Sequence, residues 1–181
     1  MTLAALAAFA RGGRRDREVC ELCAAGLNSA HDHVVDRDGN IHCVCVSCQR
    51  SDWRRVAPRV ERAAAPSSAV WTALGVPVGV AFIVRTSPRD GGEPTRVIRY
   101  PSPAGLAQGG PPEAAWQALC AEIPEVAVLA PDVEAIVVDR RTDGVAFRVS
   151  IDHCYRLVGV LRSRGDLDAW FAELAGACDR A

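Results

Sequence analysis

The sequence predicts an α+β fold: a zinc-ribbon-like module near the N-terminus, followed by an antiparallel sheet of about four strands with flanking helices. Five of the eight cysteines and three of the four histidines lie between Cys20 and Cys48. Further along, runs of β-branched residues are separated by short turns that contain Gly and Asp, as in hairpins. Helical apolar patterns flank these runs, and hairpins with flanking helices are typical of α+β domains.

The composition allows one core-forming domain and a small appendage, since the chain has 181 residues of which 49% are apolar. Its formal net charge of -1 gives no general attraction to nucleic acid or to a membrane surface. No apolar stretch approaches the roughly 18 residues of a membrane span, and the apolar start lacks the basic region of a signal peptide. We therefore expect a cytoplasmic protein, in which reduced thiols bind metal before they form disulfides.

The chain divides into four predicted segments. The cysteine-rich segment defines a metal-binding ribbon, and the prolines with alternating Arg and Ala that follow it indicate a connector. The predicted bounds are 1–13 for an N-terminal arm or short helix, 14–52 for the ribbon, 53–68 for the connector and 69–181 for the α+β domain.

Each element of the α+β domain has a local signal. Ser67 or Ser68 can cap a short helix that ends near Leu74, and Asp152 can cap a helix after the last strand. Pro and Gly residues predict a loop over 101–110. The predicted strands cover 76–85, 95–100, 133–139 and 145–151. The later helices are predicted over 111–122, 153–162 and 167–175.

The strongest motif is a pair of Cys-x-x-Cys knuckles, Cys20-Glu-Leu-Cys23 and Cys45-Val-Ser-Cys48. Each knuckle presents two thiolates on one side of a tight turn, and two knuckles complete a tetrahedron around a divalent ion. The default ligands are therefore Cys20, Cys23, Cys45 and Cys48. Zinc is favoured over iron, because Ala24 and Gln49 stand where an iron site of the rubredoxin type usually has glycines.

Three further potential ligands accompany the knuckles. Cys43 lies two residues before Cys45, and His31 and His33 have the same spacing, which places each pair on one side of an extended strand. Cys43 or His33 could replace one of the four cysteines, or these residues could help to form a second site. This surplus of soft ligands leaves an electron-transfer or metal-delivery role open.

The order of residues in this segment also resembles that of an HNH endonuclease, with Asp32-His33 and Asn40 between the two knuckles. In such a nuclease the histidine activates water and a metal ion holds the scissile phosphate. The histidine expected just after the last knuckle is absent, because Gln49 and Arg50 stand there. A nuclease or a nucleic-acid-binding ribbon is therefore an alternative, and the weak net charge argues against nucleic acid as the partner.

A second motif, Asp152-His153-Cys154-Tyr155, could contain a reactive thiol. However, Cys154, Leu157 and Leu161 follow helical spacing on one face, which predicts core packing. No positioned base is evident beside the thiol, so we predict no catalytic residue.

Seven short motifs extend over most of the chain: Cys20-Glu-Leu-Cys23, His31-x-His33-Val-Val-Asp36, Cys43-x-Cys45-x-x-Cys48, Pro77-Val-x-x-Ala-Phe82, Tyr100-Pro-Ser-Pro103, Pro131-Asp-Val-Glu-Ala135 and Ile151-Asp-x-Cys-Tyr-Arg-Leu-Val-Gly159. Together they resemble an uncharacterised bacterial family whose members are commonly encoded beside nickel-iron hydrogenase genes. The resemblance covers about 17–162. The sequence departs from the family at Gln49-Arg-Ser-Asp-Trp53, which is polar where relatives tend to be apolar.

The resemblance implies an accessory or maturation-linked protein of a hydrogenase system, and it carries no established activity. It also implies that Cys43, His31 and His33 belong to the pattern of the ribbon, and that Asp152 and Cys154 matter beyond packing. We therefore predict a zinc-binding, non-enzymatic accessory protein. Its expected partner is a protein, such as a hydrogenase subunit or a maturation factor.

Overall fold

The computed structural model describes residues 18–28, 31, 33–88, 92–103, 105–163 and 165–179. Within them, nine strands form two antiparallel sheets, accompanied by four α-helices and two short 3₁₀ helices. The α+β class is therefore confirmed. The predicted N-terminal arm, 1–13, lies outside the described residues. No helix in the described ranges is long and apolar enough to cross a membrane.

The strands are β1 (His33–Val35), β2 (Ile41–Cys43), β3 (Arg54–Val56), β4 (Val60–Ala63), β5 (Val80–Thr86), β6 (Thr95–Ser102), β7 (Gly105–Gly109), β8 (Glu134–Asp139) and β9 (Val145–Ser150). The α-helices are α1 (Ser68–Ala73), α2 (Glu113–Glu122), α3 (Ile151–Arg162) and α4 (Leu167–Cys178). The 3₁₀ helices cover Val46–Cys48 and Pro124–Val128.

The small sheet has the strand order β2-β1-β3, and it forms the cysteine-rich part of the fold. His33 pairs with Cys43 and Val35 pairs with Ile41, so these side chains share one face. Val34 lies on the opposite face, where it packs with Cys20 and Val44. We call the knuckles and the small sheet together, residues 18–56, the small unit.

The large sheet has the order β4-β9-β8-β5-β6-β7, and every neighbouring pair is antiparallel. Both of its faces are covered, which explains why β5 and β8 are nearly continuous apolar runs. Phe82, Val137 and Phe147 pack against α3 and α4 on one face. Ile83 and Ile136 pack against α1 and α2 on the other. The large sheet is therefore the middle layer of three.

The prediction of about four strands was wrong for the large sheet, which has six. The additional strands are β4, from the range predicted as a connector, and β7, from the predicted Gly/Pro loop. Neither segment has the β-branched alternation of a typical strand. Each forms because it completes the backbone hydrogen bonds of a neighbour, β9 for β4 and β6 for β7.

The helix starts confirm one predicted cap and correct another. The Ser67 hydroxyl accepts a hydrogen bond from the Val70 amide at 3.3 Å, as the sequence predicts. The predicted cap at Asp152 was wrong, because α3 already begins at Ile151 and Ser150 occupies the cap position. The Asp152 carboxylate instead lies in the first helical turn, where the helix dipole favours negative charge.

The small unit packs directly on the large sheet. Val35 and Val56 are part of the same core as Phe82 and Phe147. At the boundary, Arg54 donates hydrogen bonds to the Asp132 carboxylate and to the Pro131 carbonyl oxygen, each at 2.5 Å. Only residues 57–59 separate β3 from β4, so one short segment joins the two sheets.

Candidate metal centre

The first knuckle is a tight turn closed by backbone hydrogen bonds. The Ala24 amide donates to the Cys20 carbonyl oxygen at 2.8 Å, and the Cys20 amide donates to the Ala25 carbonyl oxygen at 2.8 Å. Ala24 has a φ of 59°, in the left-handed region that few residues other than glycine adopt. The turn brings Cys20 and Cys23 to the same side, with Cys20 buried and Cys23 exposed.

The second knuckle is the short 3₁₀ helix Val46–Cys48. The Cys48 amide donates to the Cys45 carbonyl oxygen at 2.9 Å, which folds the two cysteines onto one side of the turn. Val46 is 81% exposed. The first knuckle likewise presents Leu22 to solvent.

The two knuckles converge on one point, which we call the tetracysteine site: Cys20, Cys23, Cys45 and Cys48. All four Sγ atoms lie within 4.8 Å of one another, and the Sγ atoms of Cys23 and Cys45 are 3.7 Å apart. A disulfide would require about 2.05 Å. A tetrahedral zinc ion with Zn–S bonds of about 2.3 Å separates its sulfur ligands by about 3.8 Å. The spacing therefore fits zinc coordination, and all eight cysteines are free of disulfides.

The electrostatics of the four thiols also favour a cation. Backbone hydrogen bonds, foremost from Cys45, outweigh burial and lower the pKa of Cys20 to about 6. Contacts with the Cys45 and Cys23 thiols raise the pKa of Cys48 to about 12. One thiolate is therefore stabilised while a neighbouring thiol resists ionisation. A divalent ion removes this conflict, because it neutralises the charges that the thiolates place close together.

The remaining three predicted ligands form a separate group, which we call the His–Cys cluster: His31, His33 and Cys43. One ligand atom of each lies within 4.8 Å of the other two. His33 and Cys43 are directly paired across β1 and β2, on the face opposite Val34 and the apolar cluster that surrounds Cys20. The structure therefore does not bring these residues into the tetracysteine site.

His42 takes part in a polar chain that the sequence analysis missed. Its Nδ1 lies 2.9 Å from Glu21 Oε2 and its Nε2 lies 3.0 Å from Asp36 Oδ2, while the ring stacks on Trp53. Burial alone would lower the pKa of His42, but the carboxylates of Asp36 and Glu21 outweigh burial and raise this pKa. Glu21 also accepts a hydrogen bond from the Cys43 amide at 3.0 Å. The chain therefore ties the first knuckle to β2 and the hairpin turn, and nothing in the linear spacing reveals it.

The residues of the HNH-like alternative have other surroundings. Asp32 lies outside the described residues. Asn40 serves the hairpin turn: its amide nitrogen and its side-chain Nδ2 both donate to the Asp36 carboxylate, at 2.8 and 2.9 Å. His33 belongs to the His–Cys cluster.

Cys154 lies in the core between α3 and the large sheet, as its helical spacing predicts. Burial raises the pKa of its thiol. Burial likewise raises the pKa of Cys120 and of Cys178. These three thiols are therefore packing groups, since the thiolate is the reactive form of cysteine.

A family model described as "Family of unknown function (DUF5947)" matches residues 19–167. The chain belongs to that family. The match begins beside the first knuckle and ends at the start of α4, so it includes both the small unit and the large sheet of this DUF5947 chain. No curated protein and no solved structure matches it.

Proposed function

We propose that this DUF5947 protein is a zinc-binding accessory protein in which the tetracysteine site holds one structural zinc ion. The observation that carries this proposal is the convergence of four thiols from two knuckles, with one Sγ pair 3.7 Å apart. Four cysteine ligands are typical of closed, structural zinc sites. The small unit buries little apolar surface around Cys20, Val34 and Val44, so the ion supplies much of the free energy that folds it.

Metal analysis of the purified protein tests the zinc site. We expect a colourless protein that keeps one zinc ion per chain during dialysis against a weak chelator. Cys20→Ser and Cys48→Ser should each lose this ion. Cys120→Ser and Cys178→Ser, which change partly buried cysteines outside the small unit, should retain it. Retention of the ion in both knuckle variants would contradict the ligand assignment.

The exposed knuckles of the small unit offer a surface for a protein partner. We propose that the protein acts through contacts with another protein in a nickel-iron hydrogenase system, as a subunit partner or maturation factor, in the cytoplasm, where thiols stay reduced. The support is the resemblance of seven motifs to a family encoded beside such genes. The knuckles also present Leu22 and Val46 to solvent, as apolar contacts for a partner.

The proposed association is tested by expressing a tagged chain in the native bacterium and identifying the proteins that are captured with it. We expect hydrogenase subunits or maturation factors to be enriched, and Val46→Asp to abolish their capture without loss of zinc. Val128→Asp is the matched control, since Val128 is 66% exposed but lies in the 3₁₀ helix beside the large sheet. Equal capture by both variants would show that the knuckles are not the contact surface. Absence of hydrogenase proteins from the wild-type capture would refute the association.

A second candidate function is metal delivery or electron transfer, which the His–Cys cluster favours because it adds ligands that the tetracysteine site does not use. Absorption spectra distinguish an electron-transfer protein from a zinc-binding accessory protein. Sulfur-to-metal charge-transfer bands in the purified protein would indicate iron and support electron transfer, whereas a colourless zinc protein supports the accessory role.

A further inference from the structure

The His–Cys cluster has the geometry of a small binding site, independent of the tetracysteine site. Its two imidazole rings meet edge to face, with centroids 4.8 Å apart and an interplanar angle of 74°. His33 and Cys43 face each other across a strand pair, so the β-sheet fixes their separation. Val34, the neighbour of His33, points to the opposite face and packs with Cys20. The small sheet therefore separates the two groups of ligands.

The hydrogen bonds of His31 determine which of its nitrogens can bind a ligand. Nδ1 lies 2.9 Å from the Asn28 carbonyl oxygen, which can only accept, so Nδ1 carries the proton and donates. Glu18 Oε2 lies 3.2 Å from the same nitrogen. In the neutral ring, Nε2 then keeps its lone pair. This nitrogen is buried and has no hydrogen-bond partner in the described part of the chain.

His31 thus has a buried, unpartnered nitrogen, and it belongs to a group in which one ligand atom each of His31, His33 and Cys43 lie within 4.8 Å of one another. Such a group favours a cation over another hydrogen bond. Metal-binding histidines typically donate their other N–H to a backbone carbonyl or a carboxylate, which fixes the tautomer and orients the ring. His31 shows this arrangement, with Asn28 and Glu18 as the outer partners. Two imidazoles and one thiolate are ligands of intermediate softness, which suit Zn²⁺ or Co²⁺ and not Mg²⁺ or Ca²⁺.

We propose that His31, His33 and Cys43 bind a second divalent transition-metal ion, separate from the zinc of the tetracysteine site. This site goes beyond the structural zinc of the proposed function. Three described side chains leave at least one position of a tetrahedral ion to a ligand from outside the group, as in zinc sites that exchange water or substrate. The second ion is therefore the exchangeable one, and it is bound less tightly than the zinc of the closed tetracysteine site.

The surroundings of the cluster connect this ion to the large sheet. Val35 and Val56 flank His33 on the small sheet and enter the main core. The same core contains Ile151, Cys154 and Leu157 of α3. The second ion would thus lie on the face of the small sheet that meets α3, where an incoming ligand could influence how the small unit packs on the large sheet.

Titration of the metal-free, reduced full chain with Co²⁺ tests the proposal. The wild type should bind two Co²⁺ ions per chain: one with intense sulfur-to-cobalt bands from four thiolates, and a weaker-binding one with less sulfur absorption. His33→Gln and Cys43→Ser should reduce the stoichiometry to one, with the intense bands unchanged. Cys120→Ser is the matched control for Cys43→Ser, because Cys120 is also a partly buried cysteine but lies in α2, outside the small unit, and this variant should retain both ions.

Cadmium NMR gives a second measurement that does not depend on the variants. The Cd²⁺-loaded wild type should show two resonances, one typical of four sulfur ligands and one of mixed nitrogen and sulfur ligands. Added azide should shift only the second resonance, because the exchangeable position belongs to that ion. A single resonance, or a second ion that survives both His33→Gln and Cys43→Ser, overturns the proposal.

The two metal assignments fail in different ways. A wild-type chain with one ion and a four-thiolate spectrum overturns the second site alone. A single ion that is lost in Cys43→Ser and His33→Gln but kept in Cys20→Ser overturns the tetracysteine site instead.

Discussion

Cys154 illustrates how burial decides the chemistry of a single residue. Its side chain is in the main core with Phe147, Leu157 and Phe171. Burial raises the pKa of its thiol, so the thiolate that reagents and substrates require is not formed near neutral pH. The motif around Cys154 therefore has a packing role at this position.

Thiol labelling measures how accessible and reactive the Cys154 thiol is in the folded protein. In the native, metal-loaded protein we expect Cys154 to remain unlabelled by a thiol reagent, as read by mass spectrometry, and to be labelled after unfolding in urea. Cys154→Ser should lower the free energy of unfolding by about 1–3 kcal/mol, because the hydroxyl would be buried among apolar side chains. Rapid labelling of Cys154 in the native protein would contradict this assignment.

Glu134 is a buried carboxylate that holds three parts of the molecule together. It accepts hydrogen bonds from Arg148 at 2.6 Å and from the Ala130 amide at 2.9 Å, and it pairs with Arg59 at 3.0 Å. Burial opposes its ionisation, but these partners outweigh burial and lower the pKa of Glu134. Because the folded pKa is below the unfolded one, the ionised group stabilises the fold at neutral pH, and this contribution is lost as the pH falls through the folded pKa.

Glu134→Gln should therefore lower the free energy of unfolding by about 3 kcal/mol at pH 7, since it leaves two arginines without their buried partner. The difference from wild type should shrink as the pH falls below the unfolded glutamate pKa of about 4.3. Urea unfolding at a series of pH values measures both effects. Glu173→Gln is the control: its pair with Arg156 is exposed, so we expect a change below about 1 kcal/mol. A pH-independent difference would contradict the mechanism.

The tetracysteine site and the His–Cys cluster differ in how far the sequence predicts them. The Cys-x-x-Cys spacing identifies Cys20, Cys23, Cys45 and Cys48, because each turn is local. Whether Cys43 joins them depends on the register of β1 and β2, which places it opposite His33. Register follows from which side chains are buried on each face, and that information is not local.

At the scale of elements, the two capped helices differ in the quality of their caps. The Asp166 carboxylate accepts hydrogen bonds from the Asp168 and Ala169 amides at 2.9 and 3.0 Å, at the start of α4. Ser67 makes one longer bond of 3.3 Å at the start of α1. Asp166 also places negative charge at the N-terminus of its helix, which the helix dipole favours.

Asp166→Ala should therefore cost more stability than Ser67→Ala. We expect about 1 kcal/mol for Asp166→Ala and less for Ser67→Ala. Chemical denaturation of the two variants beside the wild type provides the comparison. A larger loss for Ser67→Ala would show that hydrogen-bond geometry at the cap does not determine the cost.

The elements that the sequence predicts are those with strong local signals. The strands β5, β6, β8 and β9 are rich in β-branched residues, and each was predicted within a few residues of its observed bounds. The edge strands β4 and β7 were missed. β4 has the sequence Val-Glu-Arg-Ala and β7 begins and ends with Gly, so neither has the propensity to be a strand by itself. Their pairing depends on the open edges of β9 and β6, which exist only in the assembled sheet.

At the scale of the whole molecule, adjacent residues of β1 belong to different cores. Val34 packs with Cys20 and Val44 near the tetracysteine site, whereas Val35 packs with Phe82 and Phe147 in the main core. Both side chains are almost fully buried, at 2% and 0% exposed. The pair offers a matched comparison, because the same change at either position removes the same atoms from opposite faces of one strand.

Val35→Ala should lower the free energy of global unfolding by about 1–3 kcal/mol and leave zinc affinity nearly unchanged. Val34→Ala should instead weaken zinc binding and have a smaller effect on the unfolding of the large sheet. Calorimetry combined with zinc competition by a chromophoric chelator measures both quantities. Identical effects of the two changes would mean that the small unit and the large sheet form one undivided core.

The short link between β3 and β4 has a consequence for the protein in a metal-starved cell. β3 belongs to the small sheet, and three residues later β4 covers the side of β9 that would otherwise lie bare. On the zinc assignment proposed above, loss of the ion should loosen β3, and the short link 57–59 should then pull β4 away from β9. The backbone of β9, which has Val-Ala-Phe in its first half, would then be exposed and should pair with a strand of another chain. Removal of the metal with a chelator should therefore cause aggregation, measured by light scattering, before circular dichroism shows that the helices unfold.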